Sequence, residues 1–222
     1  MKPIIAIGDI HGLNYWGKII EAHPGCRVVF LGDYLDPQIY IPREELLQNL
    51  ENIILFKRES PEDVILLLGN HDIHYFNEEA IEASRFDSYI AKRAKCLFLE
   101  NQDCFQYAWQ EREKLFTHAG IAHEWFTQEF HGDINAPVAI QLNHPSREQM
   151  PALFQAGRAR GGSAAWGGIF WADRSELNDP LHGFVQIVGH NRVRDITIHE
   201  GSHNNKIIFC DCLRAGNYLY LE

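Results

Sequence analysis

The sequence has no long apolar run. No stretch approaches the ~18 consecutive apolar residues that a membrane-spanning helix needs, so a membrane partner is not expected. It is also poor in positive charge. Twenty lysines and arginines stand against 30 aspartates and glutamates, a formal net charge of −10 at pH 7. Extensive nucleic-acid binding needs a basic surface and is not expected here. Nor is there a paired cysteine framework. Five cysteines, an odd number, lie at 26, 96, 104, 210 and 212. Cys210-x-Cys212 is the only close pair, and no second pair completes a zinc site. These cysteines read as small buried side chains in a reducing compartment. Met1-Lys2-Pro3 runs directly into an apolar segment and leaves no room for a secretory leader. The expected location is therefore cytoplasmic. No internal repeat or low-complexity tract is present. The 222 residues, 45% of them hydrophobic, predict one domain over 1–222.

What the chain does have is a repeated design. Ile4 to Ile7 is a short apolar run, closed by Gly8-Asp9-Ile10-His11-Gly12. Val28 to Leu31 is a second, closed by Gly32-Asp33-Tyr34-Leu35-Asp36. Val64 to Leu68 is a third, closed by Gly69-Asn70-His71-Asp72. Each reads as a buried strand followed by a glycine and metal-competent side chains. Ligands of open α/β sheets bind outside the carboxyl ends of strands, where these residues fall. His118 and His190 repeat the pattern, each beside a glycine after apolar residues.

In this order the motifs resemble the calcineurin-like metallophosphoesterase superfamily, and most of all its phosphoprotein phosphatase (serine/threonine phosphatase-like) branch. Asp9-x-His11, Gly32-Asp33-x-x-Asp36, Gly69-Asn70-His71-Asp72, His118 and Gly189-His190 carry the resemblance. It implies an α/β fold of two packed mixed β-sheets flanked by helices, an αββα sandwich. It also implies two metal ions, with mixed nitrogen and oxygen ligation suited to Mn, Fe or Zn. Asp9 and His11 would serve one ion, Asn70, His118 and His190 the other, and Asp33 would bridge them. The implied reaction is hydrolysis of a phosphomonoester by direct attack of a metal-bridging hydroxide. His71 would be the general acid, and Asp36 would fix its tautomer and raise its pKa. A phosphoprotein or a small phosphoester would be the partner. Two other functions are open to the same motifs: a dinucleoside polyphosphate hydrolase, and a non-catalytic scaffold, which the intact ligand set disfavours.

The chain departs from that branch in places. Pro37 stands where the motif usually continues with arginine, Asp72 where glutamate is usual, and Arg192 where many relatives have a last histidine. A substitute grip on phosphate is expected from an insertion of helices and loops at about 121–182 bordering the active site. Arg160, Arg158 and Arg174 sit there, the first two beside Gly161-Gly162 and the last beside Trp171-Ala172-Asp173. Guanidinium forks suit a phosphoryl group, and Arg160 is the first choice.

Periodicity predicts helices over Asn14 to Ala22, Pro42 to Lys57, Glu78 to Lys95 and 121–131. It predicts strands over Leu115 to Thr117, Phe184 to Val188, Val193 to His199, Lys206 to Cys210 and Tyr218 to Leu221. The first three runs form a βαβαβ unit with a parallel sheet. Gly201-Ser202 and Ala215-Gly216-Asn217 read as turns. His74, His123, His144, His182, His199 and His203 belong to no motif and read as surface or locally satisfied residues.

Overall fold

The computed structural model describes residues 2–201 and 205–222; Ser202 and His203 lie outside them. The chain is α/β, with two mixed five-stranded sheets flanked by helices. The first sheet is built on strands β1 (Ile4–Ile7), β2 (Arg27–Phe30) and β3 (Val64–Leu67), which pair in parallel. Helices α1 (Trp16–Ala22) and α2 (Arg43–Glu59) make the crossovers, as the sequence predicts. β4 (Phe105–Gln106) extends the sheet beyond β3, and β10 (Leu219–Leu221) closes the other edge antiparallel to β1. In the second sheet β6 (Lys114–Thr117), β7 (Val185–Arg192) and β9 (Lys206–Asp211) are parallel. β5 (Ala108–Glu111) and β8 (Thr197–Glu200) are its antiparallel edges.

Alternation along the strands explains the layers. Ile4 and Ala6 of β1, Val29 of β2 and Ile65 of β3 meet Phe116, Ile187 and Ile208 of the second sheet. Ile5, Ile7, Val28, Phe30 and Leu66 point the other way, into the helix-covered core. Successive side chains face opposite sides of a sheet, so strands buried on both faces read as unbroken apolar runs. Helix α2 covers that outer face with Leu46, Leu47, Leu50, Ile53 and Ile54, all buried. Each contributes about 1.5–3 kcal/mol relative to exposure. Glu44 and Glu45 in its first turn, and Lys57 and Arg58 in its last, oppose the helix dipole.

The structure departs from periodicity at several points. The predicted helix from Glu78 starts only at Ala91, as α4 (Ala91–Glu100). Before it, side chains compete for the backbone: Asn77 accepts the Glu79 N–H at 2.9 Å, and Asp87 accepts that of Tyr89 at 3.0 Å. Arg85 takes a left-handed φ of 68°. The helix predicted over 121–131 is one wide turn at Trp125–Glu129, set by the burial of Trp125, Phe126 and Phe130. β7 runs on through Arg192, and Val193 to Ile196 are not strand. Between β6 and β7 lie two short helices, α5 (Val138–Asn143) and α6 (Met150–Phe154), that periodicity did not single out. Their Val138, Leu142 and Leu153 join the same core as β1. No helix among the described residues is long and apolar enough to cross a membrane.

Candidate metal centre

Every motif residue leaves the carboxyl end of a strand. Asp9 and His11 follow β1, Asp33 and Asp36 follow β2, and His118 follows β6. Asn70 and His71 open the short helix α3 (Asn70–Ile73) after β3, and His190 lies in β7 near its end. The turns that aim them are tight. His11, Asp33, Asp36 and His190 have φ of 42°, 54°, 57° and 58°. Non-glycine residues rarely occupy this region, and such strain gathers at functional sites. The motif glycines give room. A Cβ on Gly69 would stand 2.1 Å from Asp33 Oδ1, and one on Gly189 2.3 Å from Asp9 Oδ1.

The side chains converge on two neighbouring points. His11 Nε2 is 3.9 Å from Asp9 Oδ2 and 3.7 Å from Asp33 Oδ2. His118 Nε2 is 3.5 Å from Asp33 Oδ1 and 3.0 Å from Asn70 Oδ1. His190 Nδ1 is 2.9 Å from that same Asn70 oxygen. Asp33 thus shows one oxygen to each group. Nδ1–H of His11 donates to the Leu35 carbonyl at 2.8 Å, and Nδ1–H of His118 to that of Leu31 at 2.7 Å. Each ring therefore turns a lone pair on Nε2 toward the carboxylates, the arrangement usual for metal-ligating histidines. In that tautomer Nε2 of His118 faces another acceptor, Asn70 Oδ1, and a shared cation would satisfy both.

The electrostatics agree with that donor set. Burial, then repulsion from Asp211 and Asp33, holds the Asp9 carboxyl well above its ordinary range. Burial and Asp72 do the same for Asp33. Burial pushes His11 and His118 down to about 3 and His190 well below its usual value. Metal ligation needs neutral imidazole and charged carboxylate. Cations would relieve the crowded acids while leaving the imidazoles neutral.

A second constellation stands beside the first. Nδ1–H of His71 donates to Asp36 Oδ2 at 2.8 Å, and the Tyr75 hydroxyl donates to the other Asp36 oxygen. Burial lowers the His71 pKa, Asp36 opposes that, and the Arg85 guanidinium adds to it. The net direction is downward, whereas the sequence reading has Asp36 raise it; desolvation is the larger effect. Asp72 is structural: its carboxylate accepts the N–H groups of Asp33, Tyr34 and Gly69 at 2.7, 2.8 and 2.8 Å, tying the second motif loop to the third.

A cavity of about 300 Å³ opens over both constellations. Arg160 lines it, held by an ion pair to Asp173 at 2.8 Å and by a hydrogen bond to Asn191 at 2.8 Å. Arg158 and Arg174 do not; Arg158 is exposed, and the Arg174 guanidinium lies 5.4 Å over the Phe209 ring. Two other arginines line it, Arg85 and Arg192. Arg85 donates to the Asp36 carbonyl at 3.0 Å and to His71 Nε2 at 3.3 Å. It sits in an irregular segment and left no periodic signal. Asp211, beside Asp9, was also missed: the apolar run Ile207 to Cys210 precedes it, but without the glycine that marks the other motifs. Of the two readings open for His74, surface or locally satisfied, the structure gives the second: its side chain is buried, with Nε2 2.9 Å from Asp36 Oδ2.

Residues 2–209 match the family described as calcineurin-like phosphoesterase. Among curated proteins, none is significantly similar. Solved structures are. A cold-active protein-tyrosine phosphatase of a psychrophilic Shewanella species is 15% identical with a TM-score of 0.58, over 100% of this chain and 81% of that one. A protein serine/threonine phosphatase from Saccharomyces cerevisiae is 16% identical with a TM-score of 0.54, over 94% of this chain and 67% of that one. At such identities the likeness is one of fold. The match over nearly the whole chain, with the site described above, decides the family: the chain belongs to the calcineurin-like phosphoesterases and is a metal-dependent hydrolase.

Proposed function

We propose that the chain is a phosphomonoesterase of the serine/threonine phosphatase-like kind, working with two metal ions. The observation that carries the reading is the position of Asp33, with Oδ2 3.7 Å from His11 Nε2 and Oδ1 3.5 Å from His118 Nε2. In this reading Asp9, His11 and Asp33 would hold one ion, and Asp33, Asn70, His118 and His190 the other. Mixed nitrogen and oxygen donors favour Mn, Fe or Zn. Two such ions, when bound, supply Lewis acidity and an activated water.

The rest belongs to the chain's own side chains. Asp36 accepts the hydrogen bond from His71 Nδ1–H and its charge stabilises the imidazolium, so a second proton taken up on Nε2 is the one passed to the leaving oxygen. Arg160 and Arg85 flank the cavity and neutralise phosphoryl oxygens that face away from the ions. Trp171 forms an apolar wall there. The phosphatases of similar fold support a phosphomonoester as substrate. The test is turnover of p-nitrophenyl phosphate after chelation and after return of Mn²⁺, Fe²⁺ or Zn²⁺. Activity that is lost and then restored supports the reading; activity indifferent to chelation, or none with any ion, refutes it.

A further inference from the structure

A second cavity, of about 310 Å³, adjoins the first. The two share Asp9, His11, Gln38, Arg192 and Asp211, which mark the common end. Its own walls are apolar: Leu13, Ile39, Val193, Cys212 and Ala215. Arg194 and Arg214 line only this cavity and so mark its far part. Both are exposed, and neither has an ion pair among the described residues; the Arg214 guanidinium donates to Gln38 at 3.0 Å. A chain with ten more acids than bases has carboxylates enough to pair them elsewhere. Two guanidinium groups without carboxylate partners, beside an apolar wall, suit a ligand that brings its own anion. The cavity also lies on the proton donor's side, since the His71 ring is 5.1 Å from that of His11, which lines it.

We propose that this cavity receives the leaving group, and that it selects a small leaving group joining an apolar body to a further phosphate. The proposal rests on the phosphoesterase reading above. Its size falls in the range of small-molecule sites, about 300–1,000 Å³. The apolar body packs on Leu13, Ile39 and Val193 while the distal phosphate meets Arg194 and Arg214. Arg192, common to both cavities, stands between that phosphate and the one being cleaved.

ADP is a suitable probe, because it joins a planar body to phosphates. Its inhibition of p-nitrophenyl phosphate hydrolysis is measured with Mn²⁺ in excess, so that chelation does not contribute. Arg194→Ala/Arg214→Ala should raise the inhibition constant for ADP about tenfold or more, while inorganic phosphate inhibition and kcat/KM for p-nitrophenyl phosphate stay within about twofold. Arg194→Lys/Arg214→Lys should recover part of the loss, because the charge remains but the fork does not. The proposal is overturned if ADP does not inhibit the native protein, or if the double variant leaves ADP inhibition unchanged. It is also overturned if inorganic phosphate inhibition weakens in step with ADP inhibition, or if a phosphoserine peptide loses more kcat/KM than ADP loses affinity. Absence of any p-nitrophenyl phosphate turnover would instead refute the phosphoesterase reading, and this proposal with it.

Discussion

Asp36 shows how much one side chain can organise. One oxygen accepts from His71 and the other from Tyr75, its backbone carbonyl accepts from Arg85, and His74 is 2.9 Å away. Its own pKa is lowered, because these donors outweigh its burial. It therefore stays charged and keeps a proton on His71 Nδ1, which leaves Nε2 as the nitrogen that faces the cavity. His71→Asn should keep its metal and lose about 10²–10⁴-fold in kcat on alkyl phosphates, the usual range for general acid catalysis. The loss should be smaller on p-nitrophenyl phosphate, whose leaving group needs little protonation. Equal losses on both substrates would assign His71 a positioning role. Asp9, His11, Asp33, Asn70 and His190 were legible because each follows an apolar run and a glycine, and His118 because it follows an apolar run with Gly120 just beyond it. Arg85 was not, because an irregular loop has no period to betray it. Its arrival beside His71 depends on the left-handed turn at position 85.

At the scale of elements, the strand ends are joined by groups that local propensity does not reveal. Asp72 links the loops after β2 and β3 through backbone N–H groups of Asp33, Tyr34 and Gly69. Asp72→Ala strands those donors in a buried place. It should cost about 2–4 kcal/mol, which for a chain of this size lowers Tm by about 4–16 °C. A Tm within a degree of the native value would show that water or rearrangement replaces the carboxylate. Gly189 is constrained differently, by the closeness of β7 to Asp9. Gly189→Ala should push the Asp9 carboxylate aside and weaken metal binding about 10–100-fold, in the manner of other ligand-orienting changes. Circular dichroism should show the fold retained, and a titration with Mn²⁺ checks the affinity. The parallel strands were legible from their apolar runs, and α2 from its period. α5 and α6 were not, because helices of six and five residues carry too little period to be read. The helix expected from Glu78 failed because side chains of Asn77 and Asp87 take the backbone N–H groups that a helix would use.

Across the whole molecule, the two sheets bring five strand ends to one place, from positions as far apart as Asp9 and His190. The αββα arrangement was legible because the motif order implies it; the partition of apolar residues between the inter-sheet layer and the helix-covered faces needed the structure. Thiol chemistry offers an independent check on this packing. Cys104, Cys210 and Cys212 are buried, Cys26 is half-buried, and Cys96 is exposed. A maleimide should therefore label Cys96 first in the native chain, and early labelling of Cys210 would contradict the packing of the two sheets. The most direct test of the central claim is metal content measured together with turnover, in the native chain and in Asp33→Asn. The account predicts two ions per native chain, and in the variant fewer ions, almost no turnover and an unchanged fold. Two ions and near-native turnover in Asp33→Asn would contradict it.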